Sequence, residues 1–171
     1  LGSVDQAIWA CERILEIEPG DRESLHRLQT LRREQGAITE LLTALDAEFN
    51  HTPDDVERAG ILRRMAHIAE GELGDQEYAA GLWSALLDMT PDNLDVVDRV
   101  IDNLSRANRN DELANLLERV ASSSHTPELR RFDYWSRLGR LAQEGLDDPD
   151  LARKAFEAAL KLRPDHRPTL Q

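Results

Sequence analysis

The sequence of 171 residues predicts an all-α fold of about nine helices joined as antiparallel hairpins. Three observations predict it. Apolar residues recur at steps of three and four through nearly every helix-length stretch. No stretch keeps the two-residue alternation rich in Val, Ile and Thr that a half-buried strand requires. Finally, Pro19, Pro53, Pro91, Pro127 and Pro164 are separated by 34, 38, 36 and 37 residues, a period that belongs to helical hairpins stacked as solenoids.

Breaker residues delimit each helix in turn. The first, 4–18, stops at Pro19-Gly20-Asp21, and the second, 21–35, at Gln35-Gly36. Helices over 37–50 and 54–72 are separated by Thr52-Pro53-Asp54-Asp55, and Leu73-Gly74-Asp75 closes the latter. The fifth, 75–89, ends at Thr90-Pro91-Asp92-Asn93, and the sixth, 92–107, at Asn108-Arg109-Asn110-Asp111. Helices over 110–123, 128–145 and 149–162 follow, parted by Thr126-Pro127 and Asp147-Asp148-Pro149 and ended by Arg163-Pro164-Asp165. Thr52, Thr90 and Thr126 each precede a proline. A hydroxyl N-cap followed by proline at the first helical position predicts that these threonines start helices, since proline there removes an N–H that has no partner anyway.

Composition narrows the function classes. The net charge is −12, which argues against a nucleic-acid partner, because phosphate binding rests on clustered positive charge. No run of apolar residues is long enough for a membrane-spanning helix, and no signal peptide is legible. The single cysteine, Cys11, cannot close an internal disulfide, which fits a reducing, cytoplasmic setting. Only Lys154 and Lys161 are lysines, an arginine bias that points to a GC-rich bacterial genome rather than to a function.

Within the 36-residue period the last repeat is the most specific. Trp135-Ser136-Arg137-Leu138-Gly139 reads W-x2-L-G, followed by Ala152, Phe156, Ala159 and Pro164. This series resembles the tetratricopeptide repeat, although Ala142 stands where the family has Tyr and the turn between Gly145 and Asp150 has one residue more than the family's. A second copy runs through Leu62, Met65, Ala66, Ala69, Ala79, Trp83, Leu86 and Pro91. Two weaker copies carry Leu25, Leu28, Leu41, Leu45 and Pro53, and Val97, Val100, Leu104, Ala114 and Leu117. Small residues at these spacings let antiparallel helices approach, and large ones fill the space between hairpins. The resemblance implies a right-handed superhelical solenoid over 1–171. It divides into a half repeat at 1–20, repeats at about 21–54, 55–92, 93–128 and 129–165, and the start of another at 166–171. Ala7, Cys11, Ile14 and Pro19 repeat the spacing of Ala152, Phe156, Ala159 and Pro164. The first helix is therefore expected to be a second helix of a hairpin, in a chain excised from a longer array. Exposed ends of such an array are expected to stack on other copies as a consequence of excision.

The resemblance also implies a non-enzymatic scaffold that holds an extended peptide or partner helix on its concave side. Carried over by position, the groove candidates are His26, Thr30, Arg33, Arg63, His67, Glu70, Asp98, Asp102, Ser105, Ser136, Arg140 and Gln143. Their near-neutral balance in an acidic chain is a relative positive enrichment, which favours an acidic peptide; a merely solvated helix face is the alternative. The Lys and Asn pair of carboxylate-clamping tetratricopeptide domains is absent at these positions. Two other roles stay open: a spacer or self-association module of a very large protein, or the docking arm of an enzyme whose catalytic domain lies elsewhere.

Residue patterns for chemistry are few, and no cofactor or metal is expected. Glu23-x2-His26 and Glu48-x2-His51 have the E-x-x-H spacing of di-iron bundles, but such sites need further inward carboxylates, and His51 stands at a helix end. Cys11 occupies an apolar slot, as a small hydrophobe does. Ser122-Ser123-Ser124-His125 reads as a connector before Pro127. No nucleophile elbow, phosphate loop, zinc motif or calcium loop is present. Trp83 and Trp135 are expected in the core, and Trp9 partly exposed.

Overall fold

The computed structural model describes residues 2–163. Leu1 and residues 164–171, which include Pro164, Leu170 and the expected start of a further repeat, lie outside the described residues. Nine α-helices are found among the described residues: α1 Ser3–Ile17, α2 Arg22–Glu34, α3 Ile38–His51, α4 Asp55–Ile68, α5 Gln76–Met89, α6 Leu94–Arg106, α7 Asn110–Ser122, α8 Glu128–Glu144 and α9 Pro149–Leu162. No described residue is in a strand. The expected order of nine helices is therefore observed, with one departure. After Ile68 the helix continues as a π turn, Ala69–Leu73. Gly74, at φ +72°, ends it in the left-handed conformation that glycine adopts without steric cost.

Two compact units are present, residues 1–100 and 101–171, and the division falls within α6. In the first unit α1 packs on α2, α2 on α3, α3 on α4 and α4 on α5. Its core joins Leu41, Leu42 and Leu45 of α3 to Ile61, Met65 and Ile68 of α4, with Phe49 and Leu82 against them. A neighbouring cluster joins Ile8 and Cys11 of α1 to Leu28 of α2 and Ala44 of α3. In the second unit α8 packs on both α7 and α9. There the W-x2-L-G series acquires its physical meaning: a Cβ on Gly139 would lie 2.6 Å from the Phe156 ring, so only glycine admits that ring. Trp83 and Trp135 are buried and Trp9 is 64% exposed.

The threonines act differently from the sequence expectation. The Thr52 hydroxyl donates to the Glu48 carbonyl at 2.7 Å, and that of Thr90 to the Leu86 carbonyl at 2.8 Å, so each closes the helix before it. Asp54 caps α4 by accepting from the Glu57 N–H at 2.8 Å, and Asn93 accepts from the N–H groups of Asp95 and Val96 at the start of α6. Thr126 is buried and Pro127, not Thr126, immediately precedes α8. The physical reason is that the hydroxyl satisfies a carbonyl left open at a helix end. The carboxylates and the amide downstream serve the next N-terminus. Asp21, Asp75 and Asp148 cap α2, α5 and α9 in the same way.

Candidate functional site

The first unit brings α2, α3 and α4 together around one buried carboxylate. Glu48 lies on the α3 face that carries Leu41 and Leu45, and its side chain is only 10% exposed. His26 Nε2 is 2.8 Å from one carboxylate oxygen, and Gln29 Nε2 donates to the other at 2.9 Å. Arg64 of α4 reaches that second oxygen at 3.5 Å and donates to Gln29 Oε1 at 2.8 Å. Burial pushes the Glu48 carboxyl up, but the hydrogen bonds from Gln29 and His26 and the Arg64 charge outweigh it and hold it below its ordinary value. The network thereby fixes the Gln29 amide and the Arg64 guanidinium relative to three helices.

Beside this network opens a hollow of about 640 Å³. Gln29, Thr30 and Arg33 form its α2 wall, and Arg64, His67 and Ile68 its α4 wall. Leu41, Glu34 and Glu72 of the π turn complete the lining. Arg33 stands 3.6 Å from Glu72, with both side chains about half exposed, so the pair is weakly held and free to exchange partners. His67 meets the buried Trp83 ring edge to face at 5.0 Å between centroids, which fixes the imidazole at the wall. Two guanidinium groups, the Glu34 and Glu72 carboxylates and a small apolar floor together present hydrogen-bonding groups of both signs to a polar side chain.

Three of the groove candidates, Thr30, Arg33 and His67, thus meet in one hollow. His26 is exposed but turned onto Glu48, and Arg63 is exposed. Glu70 is half-buried with Arg99 at 3.8 Å, and Asp98 is half-buried. In the second unit Asp102 is 3.9 Å from Arg137, Ser136 donates to the Phe132 carbonyl, and Ser105, Arg140 and Gln143 are exposed. Sequence reading missed Gln29, Arg64 and Glu72 as lining residues. Their one signal is Glu48 itself, a carboxylate on an otherwise apolar stripe that demands buried partners.

The other sequence patterns are structural in this fold. Glu48 and His26 do meet, yet the remaining partners of the carboxylate are an amide and a guanidinium. Among the described residues no three His, Cys, Asp or Glu side chains converge. His51 is 2.8 Å from the Ala47 carbonyl. Burial pushes the Cys11 thiol up, away from the reactive thiolate. No described helix is long and apolar enough to cross a membrane.

No protein-family model matches the sequence, and no curated protein matches it. Solved structures do. YrrB, a TPR protein with an unusual peptide-binding site, superposes with a TM-score of 0.50 at 10% identity, over 95% of this chain and 79% of its own. MamA superposes with a TM-score of 0.48 at 18% identity, over 95% of this chain and 90% of its own. At such identities likeness speaks to fold alone, and with the helix order and the fit of Gly139 against Phe156 it shows that the chain has a tetratricopeptide-like repeat fold.

Proposed function

We propose that the chain is a non-enzymatic protein-interaction scaffold whose hollow between α2 and α4 receives an extended peptide bearing an acidic side chain. One observation carries this reading: Thr30, Arg33 and His67 line the same hollow as an Arg64 that the Glu48 network holds in place. Arg33 exchanges its loose contact with Glu72 for the incoming carboxylate, while Gln29 and Thr30 hold polar backbone. Arg63, Glu70 and Asp98 in the first unit, and Asp102, Ser136, Arg140 and Gln143 in the second, are the further contacts of the proposal. The peptide-binding site of YrrB, on a similar fold, supports it. Binding of this kind requires no proton or group transfer.

The test is a titration of labelled extended peptides of acidic, neutral and basic character against the chain and against Arg33→Glu combined with His67→Glu. Acidic peptides are expected to bind the unaltered chain and to bind the variant at least about tenfold more weakly, or ~1.4 kcal/mol, with helical circular dichroism unchanged. Binding of no peptide class, or binding indifferent to the substitutions, rejects the proposal.

A further inference from the structure

The hollow between α2 and α4 changes sign along its length. Arg22 meets Glu57 and Gln29 meets Arg64, each pair 35 residues apart, so the two helices run in the same direction and in step. Gln29 and Arg64 therefore stand at one level of the hollow. Arg33 follows about one turn along, and Glu34 and Glu72 lie beyond it. Guanidinium groups thus hold one end and the middle, and carboxylates hold the other end. At a rise of ~1.5 Å per residue, the step from Gln29 to Glu34 spans ~7.5 Å along the helix axis.

That grading restricts the ligand. Two arginines and two glutamates line the hollow, so their formal charges cancel. A ligand of one sign is attracted at one end and repelled at the other. The two ends lie within one screening length, ~10 Å at 0.1 M salt, so the repulsion is felt. Seating a carboxylate on Arg33 also takes from Glu72 the partner that stands 3.6 Å away. Glu34 and Glu72 are then two carboxylates in need of a cation. In an extended peptide, side chains two residues apart share a face at a separation of ~6.6 Å, and adjacent ones point to opposite faces. The first spacing matches the distance between the two ends. We propose that the hollow selects a peptide of both signs, with an acidic residue on Arg33 and Arg64 and a lysine or arginine two positions away on Glu34 and Glu72. This rests on the peptide-binding reading above and names the class of ligand within it.

Labelled peptides that differ in one motif, Glu-Ser-Lys, Lys-Ser-Glu, Glu-Ser-Gln or Glu-Lys-Ser, test this by fluorescence anisotropy. They are titrated against the unaltered chain and against Glu34→Gln combined with Glu72→Gln. Both glutamates are exposed, so the amides leave the core untouched. One of the two spaced motifs is expected to bind the unaltered chain about threefold more tightly than Glu-Ser-Gln and Glu-Lys-Ser, the gain that a half-exposed ion pair allows. In the variant that preference is expected to vanish, while Glu-Ser-Gln binds at least as well as before. Glu-Ser-Gln binding as tightly as both spaced motifs overturns the proposal and leaves the acidic-peptide reading standing. So does a preference that ignores the spacing or survives the variant. Binding that Arg33→Glu with His67→Glu leaves unchanged, or no binding at all, rejects that reading and the proposal with it.

Discussion

Glu48 is a carboxylate on a helix face otherwise given to leucine, and its surroundings explain why that is tolerated. Both oxygens have hydrogen-bond partners and a guanidinium lies close, so desolvation is offset rather than left uncompensated. Glu48→Ala strands the Gln29 amide and loosens Arg64; it is expected to lower stability by ~1–3 kcal/mol, measured by urea unfolding. The Glu48 pKa is held below its ordinary value of 4.5. The stabilisation is therefore fully present above that ordinary value and is lost as pH falls through the lower folded one. In Glu48→Gln the acid limb of a stability-versus-pH curve is expected to flatten. A second residue-scale prediction concerns Gly139, where an added methyl meets the Phe156 ring. Gly139→Ala is expected to cost ~1–3 kcal/mol through overpacking, seen as a lower thermal midpoint. Gly139 and Phe156 were legible in the sequence, because their spacing reports a contact inside one hairpin. The triangle of Gln29, Glu48 and Arg64 was not, because it depends on the relative rotation of three helices, which periodicity within each helix does not encode.

At the scale of elements, helix ends are decided by which polar group finds an open backbone partner. Thr52 and Asp54 flank the same link, yet one closes α3 and the other opens α4. Asp54→Ala is expected to cost ~0.5–2 kcal/mol as a lost N-cap, readable by the same urea titration. The Thr-Pro pairs mark the links correctly, and nine helices were legible because breakers and apolar periodicity agree. What each hydroxyl does was not legible, since a threonine in a link can serve either neighbour and only the backbone geometry chooses. The π turn also left no signal beyond a long repeat. It ends on Gly74 at φ +72°. Gly74→Ala forces an L side chain into the left-handed region, at an expected ~1–2 kcal/mol. Hydrogen exchange is expected to show the loss locally, at the amides of the π turn that contributes Glu72 to the hollow.

For the molecule as a whole, net charge bears on the acidic partner proposed above. A chain at −12 repels acidic ligands over most of its surface, so binding of one depends on local cations. In the proposed function Arg33 and Arg64 supply them, on the walls of a hollow that Glu34 and Glu72 also line. The affinity for an acidic peptide is accordingly expected to fall as ionic strength rises from about 0.1 M to 1 M, where the screening length shrinks from ~10 Å to ~3 Å. That these positions fall on the first helices of hairpins or their continuation was legible, although Glu70, Asp98 and Ser136 are half-buried rather than exposed. Which of them share a hollow was not, because His26 and Glu70 are drawn to Glu48 and Arg99 by neighbours the repeat pattern does not specify. The most direct measurement is amide chemical-shift mapping of the chain titrated with an extended acidic peptide. Shifts concentrated at Thr30, Arg33 and His67, saturating together, are the predicted result; saturable shifts confined to other helices, or none at all, would contradict it.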